Sequence, residues 1–191
     1  MAEPAPDLEL AAGALRLRPY RSADAAPLFA AVRESIDSVG RWLPWCHAGY
    51  TLADAEGWIR LCAAEWRSGE HFAFALFDDA AGELVGGIGL NQRNRMHNFM
   101  SLGYWIRQSR QGRGVARRAA RCVVDFGFDV VGLTRIEIVA QPGNGASRRV
   151  AESLGAVFEA IARNRIVTPA GPADAAVYAL VPPLPPGGAR A

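Results

Sequence analysis

Apolar positions recur along this chain in two rhythms, and the switches between them mark out its elements. Leu15 and Leu17 alternate with Arg16 and Arg18, which predicts a half-exposed strand over 14–19. Leu28, Phe29, Val32 and Ile36 then share one face of a helix that Ser22 opens and that runs to about residue 35. Asp24 and Glu34 read there as a cap and a surface charge. Thr51-Leu52-Ala53-Asp54 is a capping-box start, and the helix behind it buries Ala55, Trp58, Ile59, Cys62 and Trp66 before Ser68-Gly69 ends it. Three strands follow as a meander, over 71–77, 84–90 and 99–107. Gly86, Gly87 and Gly89 in the second of them mark a bulge or a close backbone approach. Val115, Ala119, Val123, Phe126 and Val130 keep helical spacing over 114–131. A strand over 135–140, a short helix over 146–154 and a closing hairpin over 157–167 and 175–181 complete the chain, and no internal repeat is present.

Composition narrows the class. At 191 residues with half of them hydrophobic, the chain suits one domain with a sizeable core, placed at residues 13–181. Residues 1–12 read as a flexible tail and the Pro/Gly-rich residues 182–191 as a disordered one. A net charge of +2 is too small for a nucleic-acid protein, and no run approaches the roughly 20 apolar residues that span a bilayer. No signal peptide is visible, and Cys46, Cys62 and Cys122 have neither even number nor metal-like spacing. The expectation is a soluble cytoplasmic protein with free thiols and no metal.

Chemistry concentrates in residues 104–117, Tyr-Trp-Ile-Arg-Gln-Ser-Arg-Gln-Gly-Arg-Gly-Val-Ala-Arg. An apolar strand passes through an Arg/Gly loop and opens the long helix. N–H groups at a helix start lack internal partners and suit an anion, and Gly112 and Gly114 let a ligand lie against the backbone. Arg110, Arg113, Arg117, Arg118 and Arg121 oppose the helix dipole unless something negative docks there. A Rossmann fingerprint fails because Arg117 stands where its third glycine belongs, and a Walker A loop fails because the chain has no lysine. A diphosphate turn and a merely solvated arginine face remain.

Gln111-x-x-Gly114-x-Ala116 resembles the acyl-CoA pyrophosphate signature of the GCN5-related N-acetyltransferases. The element order, read as β-α-α-β-β-β-α-β-α-β-β, is also theirs, from about Leu15 to Val181. Within the superfamily the chain looks like the RimJ/RimL branch. Trp42-Leu43-Pro44-Trp45, Gly103-Tyr104-Trp105-Ile106, Asn144-x-x-Ser147, Leu154-Gly155 and Asp174-x-x-Val177-Tyr178 carry that likeness. Gly155-Ala156 and Glu159-Ala160 depart from the usual Gly-Phe and Glu-Gly, both near the acceptor side. The resemblance implies an α/β (α+β) GNAT fold: a mixed, mostly antiparallel sheet of six to seven strands with about four helices, splayed between the fourth and fifth strands.

It also implies acetyl transfer from acetyl-CoA to a primary amine, a protein N-terminal α-amine foremost. A small-molecule amine or antibiotic as acceptor, or a non-catalytic acyl-CoA-binding module, are the alternatives. The expected cofactor-binding residues are Tyr104, Trp105, Ile106, Gln111, Gly112, Arg113, Gly114, Val115, Ala116, Asn144 and Ser147. Ser147 would protonate the leaving thiolate, or merely cap its helix. Glu159, its pKa raised by burial, would be the base, with His47 the alternative and His71 and His97 surface or structural. Trp42, Trp45 and His47 would shape the acceptor side. A homodimer is the family expectation, and neither nucleic acid nor membrane is expected as partner.

Overall fold

A computed structural model describes residues 5 and 7–182 of the chain. The expected tails at residues 1–4, 6 and 183–191 lie outside the described residues. The elements are β1 (Leu10–Ala11), β2 (Leu15–Pro19), α1 (Ala25–Glu34), α2 (Ile36–Val39), α3 (Leu52–Ser68), β3 (Phe72–Asp78), β4 (Glu83–Asn94) and β5 (Phe99–Ile106), followed by α4 (Val115–Asp129), β6 (Arg135–Ala140), α5 (Gly145–Ser153), β7 (Val157–Thr168) and β8 (Gly171–Leu180). One sheet runs in the order β1-β2-β3-β4-β5-β6-β8-β7. All neighbours are antiparallel except β5 and β6.

The sheet has eight strands, against the six to seven expected, because part of the supposed N-terminal tail pairs: Leu10 and Ala11 face Leu17 and Arg16. The helix expected over 22–35 is divided. A 3-10 turn at Ser22–Asp24 precedes α1, and its N-cap is Arg21, not Ser22. Ser35 turns its hydroxyl back to the Ala31 carbonyl at 2.7 Å, where α1 gives way to α2. Such back-bonding bends helices.

Helices cover both faces. Phe72, Phe74, Leu76, Leu90, Ile136 and Ile138 pack under α4 through Ala119, Val123 and Phe126. On the other face Ala73, Ala75 and Phe77 meet Leu28 and Val32 of α1 and Ile59 and Cys62 of α3. Thr51 and Asp54 form the expected capping box, and Gly69 ends α3 in the left-handed conformation at φ 69°. Asp24 is no simple cap: it is buried, takes two bonds from Arg18 at 2.7 and 2.8 Å, and accepts Arg21 N–H at 2.7 Å.

The sheet opens at one place. β5 and β6 pair only from Phe99↔Arg135 to Ser101↔Glu137, then diverge while both strands continue. This is the splay expected between the strands of residues 102–107 and 135–140, now the fifth and sixth of the sheet because β1 precedes them. Arg107 N–H donates to the Val85 carbonyl at 2.9 Å, so Gly86↔Ile106 is a non-hydrogen-bonded pair, and two residues back Ile88↔Tyr104 is another. The backbone groups of Tyr104 and Ile106 therefore point away from β4, into the gap.

Candidate active site

Two cavities meet at the open part of β5. A cleft of about 660 Å³ follows the gap between β5 and β6 to the N-terminus of α4. A second cavity, about 620 Å³, lies on the sheet face covered by α1, α3 and the tryptophan connector. Leu43, Gly103, Tyr104 and Trp105 border both.

The turn between β5 and α4 leaves helix amides open, as an anion site requires. Gly114 caps α4 at φ 69° with no side-chain bond to the first turn, and the first intrahelical donor is Arg118 N–H to the Gly114 carbonyl. The amides of Val115, Ala116 and Arg117 thus begin the helix without partners inside it. A Cβ on Gly112 would meet nothing within 4 Å, so that glycine answers to its φ of 72° rather than to crowding.

The arginine cluster divides by role. Arg107 binds Glu34 and Glu83, and Arg110 binds Glu83 and Asp78, tying the turn to α1 and to the β3–β4 hairpin. Burial pushes the Glu34 carboxyl up, but hydrogen bonds from Ser109 and Arg107 outweigh it and hold the group below the usual carboxylate range. Arg113 and Arg117 are exposed and reach no acidic partner among the described residues, and Arg117 and Arg149 border the cleft. Gln111 borders the cleft, and its amide donates to the Ser38 hydroxyl at 3.1 Å and the Ile106 carbonyl at 2.9 Å, bracing the turn.

Across the gap, Asn144 caps α5 by accepting Ser147 N–H at 3.1 Å. Ser147 is therefore not the cap, and its side chain is free for another partner. That partner is the Tyr104 hydroxyl, 2.9 Å from Ser147 Oγ and 3.1 Å from the Ser147 carbonyl it donates to. Burial pushes the Tyr104 phenol up to about 12, with the bond to Ser147 opposing it, so both hydroxyls keep their protons near neutrality. Tyr178, buried in the core, accepts from Arg148 at 2.9 Å and donates to Glu152 at 3.0 Å, which fixes α5 over β8.

The second cavity is walled by Trp45, Trp58, Trp105, Tyr20 and Tyr50. Trp45 meets Trp105 edge-on at 5.6 Å. Its floor is bare because Gly87 and Gly89 carry no side chain. A Cβ on Gly87 would stand 2.4 Å from the Tyr20 hydroxyl and 2.7 Å from Trp105 Nε1. Trp45 and His47 border this cavity as expected, whereas Trp42 does not: it borders the cleft, with Gly143 against its ring. His47 is exposed, and its Nδ1 accepts Gly49 N–H at 3.1 Å.

Glu159 is a correction. It is exposed on β7 and bonded by both oxygens to Arg135 at the paired end of β6. That hydrogen bond outweighs desolvation and holds its carboxyl below the usual range, not above it. It borders neither cavity. His71 is the opposite case: expected to be structural or at the surface, it is buried and borders the second cavity.

The family model described as an acetyltransferase (GNAT) domain matches residues 14–157. A candidate ribosomal N-acetyltransferase of Bacillus subtilis, YdaF, is 31% identical over 100 residues, covering 52% of this chain and 55% of that protein. The chain thus spans about half the length of that curated relative. Among solved structures, a candidate ribosomal-protein-serine acetyltransferase from Vibrio cholerae superposes with a TM-score of 0.82 at 30% identity, over 93% of this chain and 99% of the other. Mycobacterium smegmatis RimJ, solved with CoA-disulfide, gives a TM-score of 0.79 at 28% identity over 92% and 88%.

Proposed function

The chain belongs to the GNAT acetyltransferase family, and on that premise we propose that it transfers an acetyl group from acetyl-CoA to a primary amine. A protein N-terminal α-amine is the acceptor favoured by likeness to proteins described as ribosomal-protein acetyltransferases. The observation that carries the reading is the junction of cleft and cavity at Gly103–Trp105, where two substrates can meet from opposite sides of one strand. A compact apolar amine is the second reading, supported by the aromatic walls of the cavity.

Acetyl-CoA supplies the acetyl group already activated as a thioester. The residues fit it: the uncapped amides of Val115–Arg117, with Arg113, Arg117 and Arg149, suit a diphosphate, and the inward backbone of Tyr104 and Ile106 suits an extended amide-bearing arm. A backbone donor in that gap is also where a developing oxyanion is stabilised. Ser147 holds a proton at Oγ for the departing sulfur, and Tyr104 stands behind it. Asn144 keeps α5, and with it Ser147, against the gap. Trp45 and Trp105 exclude water from the acceptor side.

Acetyl-CoA at a hundred times its Kd is expected to stabilise the fold by about 2.7 kcal/mol, raising Tm by about 5–11 °C for a chain of this size. A thiol-release screen with acetyl-CoA against peptide N-termini, aminoglycosides and small amines then identifies the acceptor. No melting shift and no thiol release would sink the reading; a shift without turnover on any amine would leave a carrier-binding module. Because Glu159 is tied to Arg135 at the surface, Glu159→Gln is expected to leave kcat within about two-fold. A loss of a hundredfold in the same assay would return it to the site.

A further inference from the structure

The site so far has a proton for the sulfur and nothing to take one from the amine. We propose that His71 is the general base of the acceptor side, with Glu65 setting its tautomer. This rests on the acetyl-transfer reading and goes beyond it by naming the group that makes the amine nucleophilic.

His71 immediately precedes β3 and is 7% exposed. Its Nδ1 lies 3.1 Å from a Glu65 carboxylate oxygen, and Trp58 packs against the ring at 5.5 Å with 63° between planes. An ionised carboxylate can only accept, so Nδ1 carries the hydrogen and Nε2 keeps its lone pair. Among the described residues nothing bonds Nε2, and it is not sealed in the core. It faces the cavity floor: a Cβ on Gly89 would stand 3.0 Å from it. Gly89 is paired with Gly103 on β5, one strand spacing of about 4.8 Å away. An amine held over Gly103, where the cavity meets the cleft, is thus in reach of Nε2 directly or through one water.

The other titratable groups facing the cavity are less suited. Tyr20 and Tyr50 are pushed up by burial and stay protonated. Asp54 is exposed and engaged by Thr51. His47 is exposed on the connector, and Tyr104 turns its hydroxyl to Ser147 on the far side. Burial lowers the His71 pKa, and Glu65, from α3, opposes that only in part. The ring is therefore neutral at pH 7.

The protons balance. Nε2 takes one from the ammonium and passes it to solvent. The freed lone pair forms the C–N bond at the acetyl carbon, the C–S bond breaks, and the sulfur takes the proton that Ser147 holds. The second proton lost from nitrogen replaces the one Ser147 gives.

Two measurements test this. In long-range 1H–15N spectra of the whole protein, His71 is expected as the Nδ1–H tautomer, titrating below the ordinary histidine value; an Nε2–H tautomer overturns the proposal. In thiol-release assays, His71→Gln is expected to lower kcat/KM by about 10²- to 10³-fold at neutral pH and to remove the acidic limb of its pH profile. The melting shift with coenzyme A should stay as in wild type, which separates a lost base from a lost fold. Glu65→Gln is expected to move that limb without removing it. Wild-type turnover with His71→Gln unchanged overturns the base alone. A wild type inert toward every amine fails the acetyl-transfer reading and this one with it.

Discussion

Ser147→Ala is expected to lower kcat by about 10²- to 10³-fold, the range of a lost general acid, with coenzyme A affinity changed no more than a few-fold. The substitution leaves the helix intact, because the cap of α5 is Asn144 acting on the Ser147 backbone N–H, which alanine retains. What disappears is the Oγ placed 2.9 Å from the Tyr104 hydroxyl. Tyr104 cannot fill the role directly, since its own O–H is within 3.1 Å of the Ser147 carbonyl and burial holds the phenol up to about 12. Tyr104→Phe is therefore the informative companion: it keeps the ring and the acid but removes the second hydroxyl, so its loss of kcat should be smaller. Single-turnover kinetics is the measurement, because slow product release masks a change in chemistry. An unchanged single-turnover rate in Ser147→Ala removes the serine from the mechanism.

The largest effect on stability is expected at Asp24. Asp24→Ala strands the Arg18 guanidinium, 8% exposed and stacked over Phe77 at 4.4 Å, with only the Pro19 carbonyl, among the described residues, as a hydrogen-bond partner at 3.0 Å. Breaking a buried pair by removing one member costs about 3–5 kcal/mol, which for a chain of this length lowers Tm by about 6–20 °C. Asp24→Asn keeps an oxygen for the Arg21 N–H and should cost less. Replacing Arg18 and Asp24 together by apolar residues should recover much of the loss, since no buried charge is then left alone. Thermal and denaturant unfolding of the three variants decides it; an Asp24→Ala protein as stable as wild type would mean that the pair is solvated after all.

How far the chain could be read before its structure was known follows the range of the interactions. α4 was legible because Val115, Ala119, Val123 and Phe126 repeat at the helical period, and α3 because Thr51 and Asp54 are three residues apart. The glycines of β4 mark both of the features expected, a bulge where Leu76 pairs with Gly86 but Phe77 with Leu84, and a close approach, since a Cβ on Gly86 would stand 2.3 Å from the Trp105 carbonyl. The Tyr104–Ser147 pair was not legible, its members standing 43 positions apart. The same holds for Arg107 and Glu34, separated by 73. Such partners are set by strand register and by the seating of helices, and a one-residue slip would exchange the faces. Glu159 was misplaced for that reason. β7 turns its carboxylate toward Arg135, and no local pattern reports which charge waits there. His71 looked incidental because its partner Glu65 lies across the end of α3, and the bare floor beside it depends on two other strands.

That floor has a consequence of its own. Gly89 lies in line with Ala73 and Gly103, so that row of the sheet is stripped of bulk across three strands, while the row of Ala75 and Gly87 is bare only as far as Trp105. At Gly87 the nearest atoms to an added methyl belong to the packed rings of Tyr20 and Trp105, whereas at Gly89 the nearest is the Phe72 backbone carbonyl at 2.6 Å. Gly87 is thus a notch closed by side chains and Gly89 one closed by backbone. A single carbon in such a notch is worth about 1–3 kcal/mol of discrimination, and in the proposed reaction it is separate from the α4 amides assigned to the diphosphate. On the proposed reading, choice of guest and hold on the carrier fall to different atoms, so that one could drift while the other stays put.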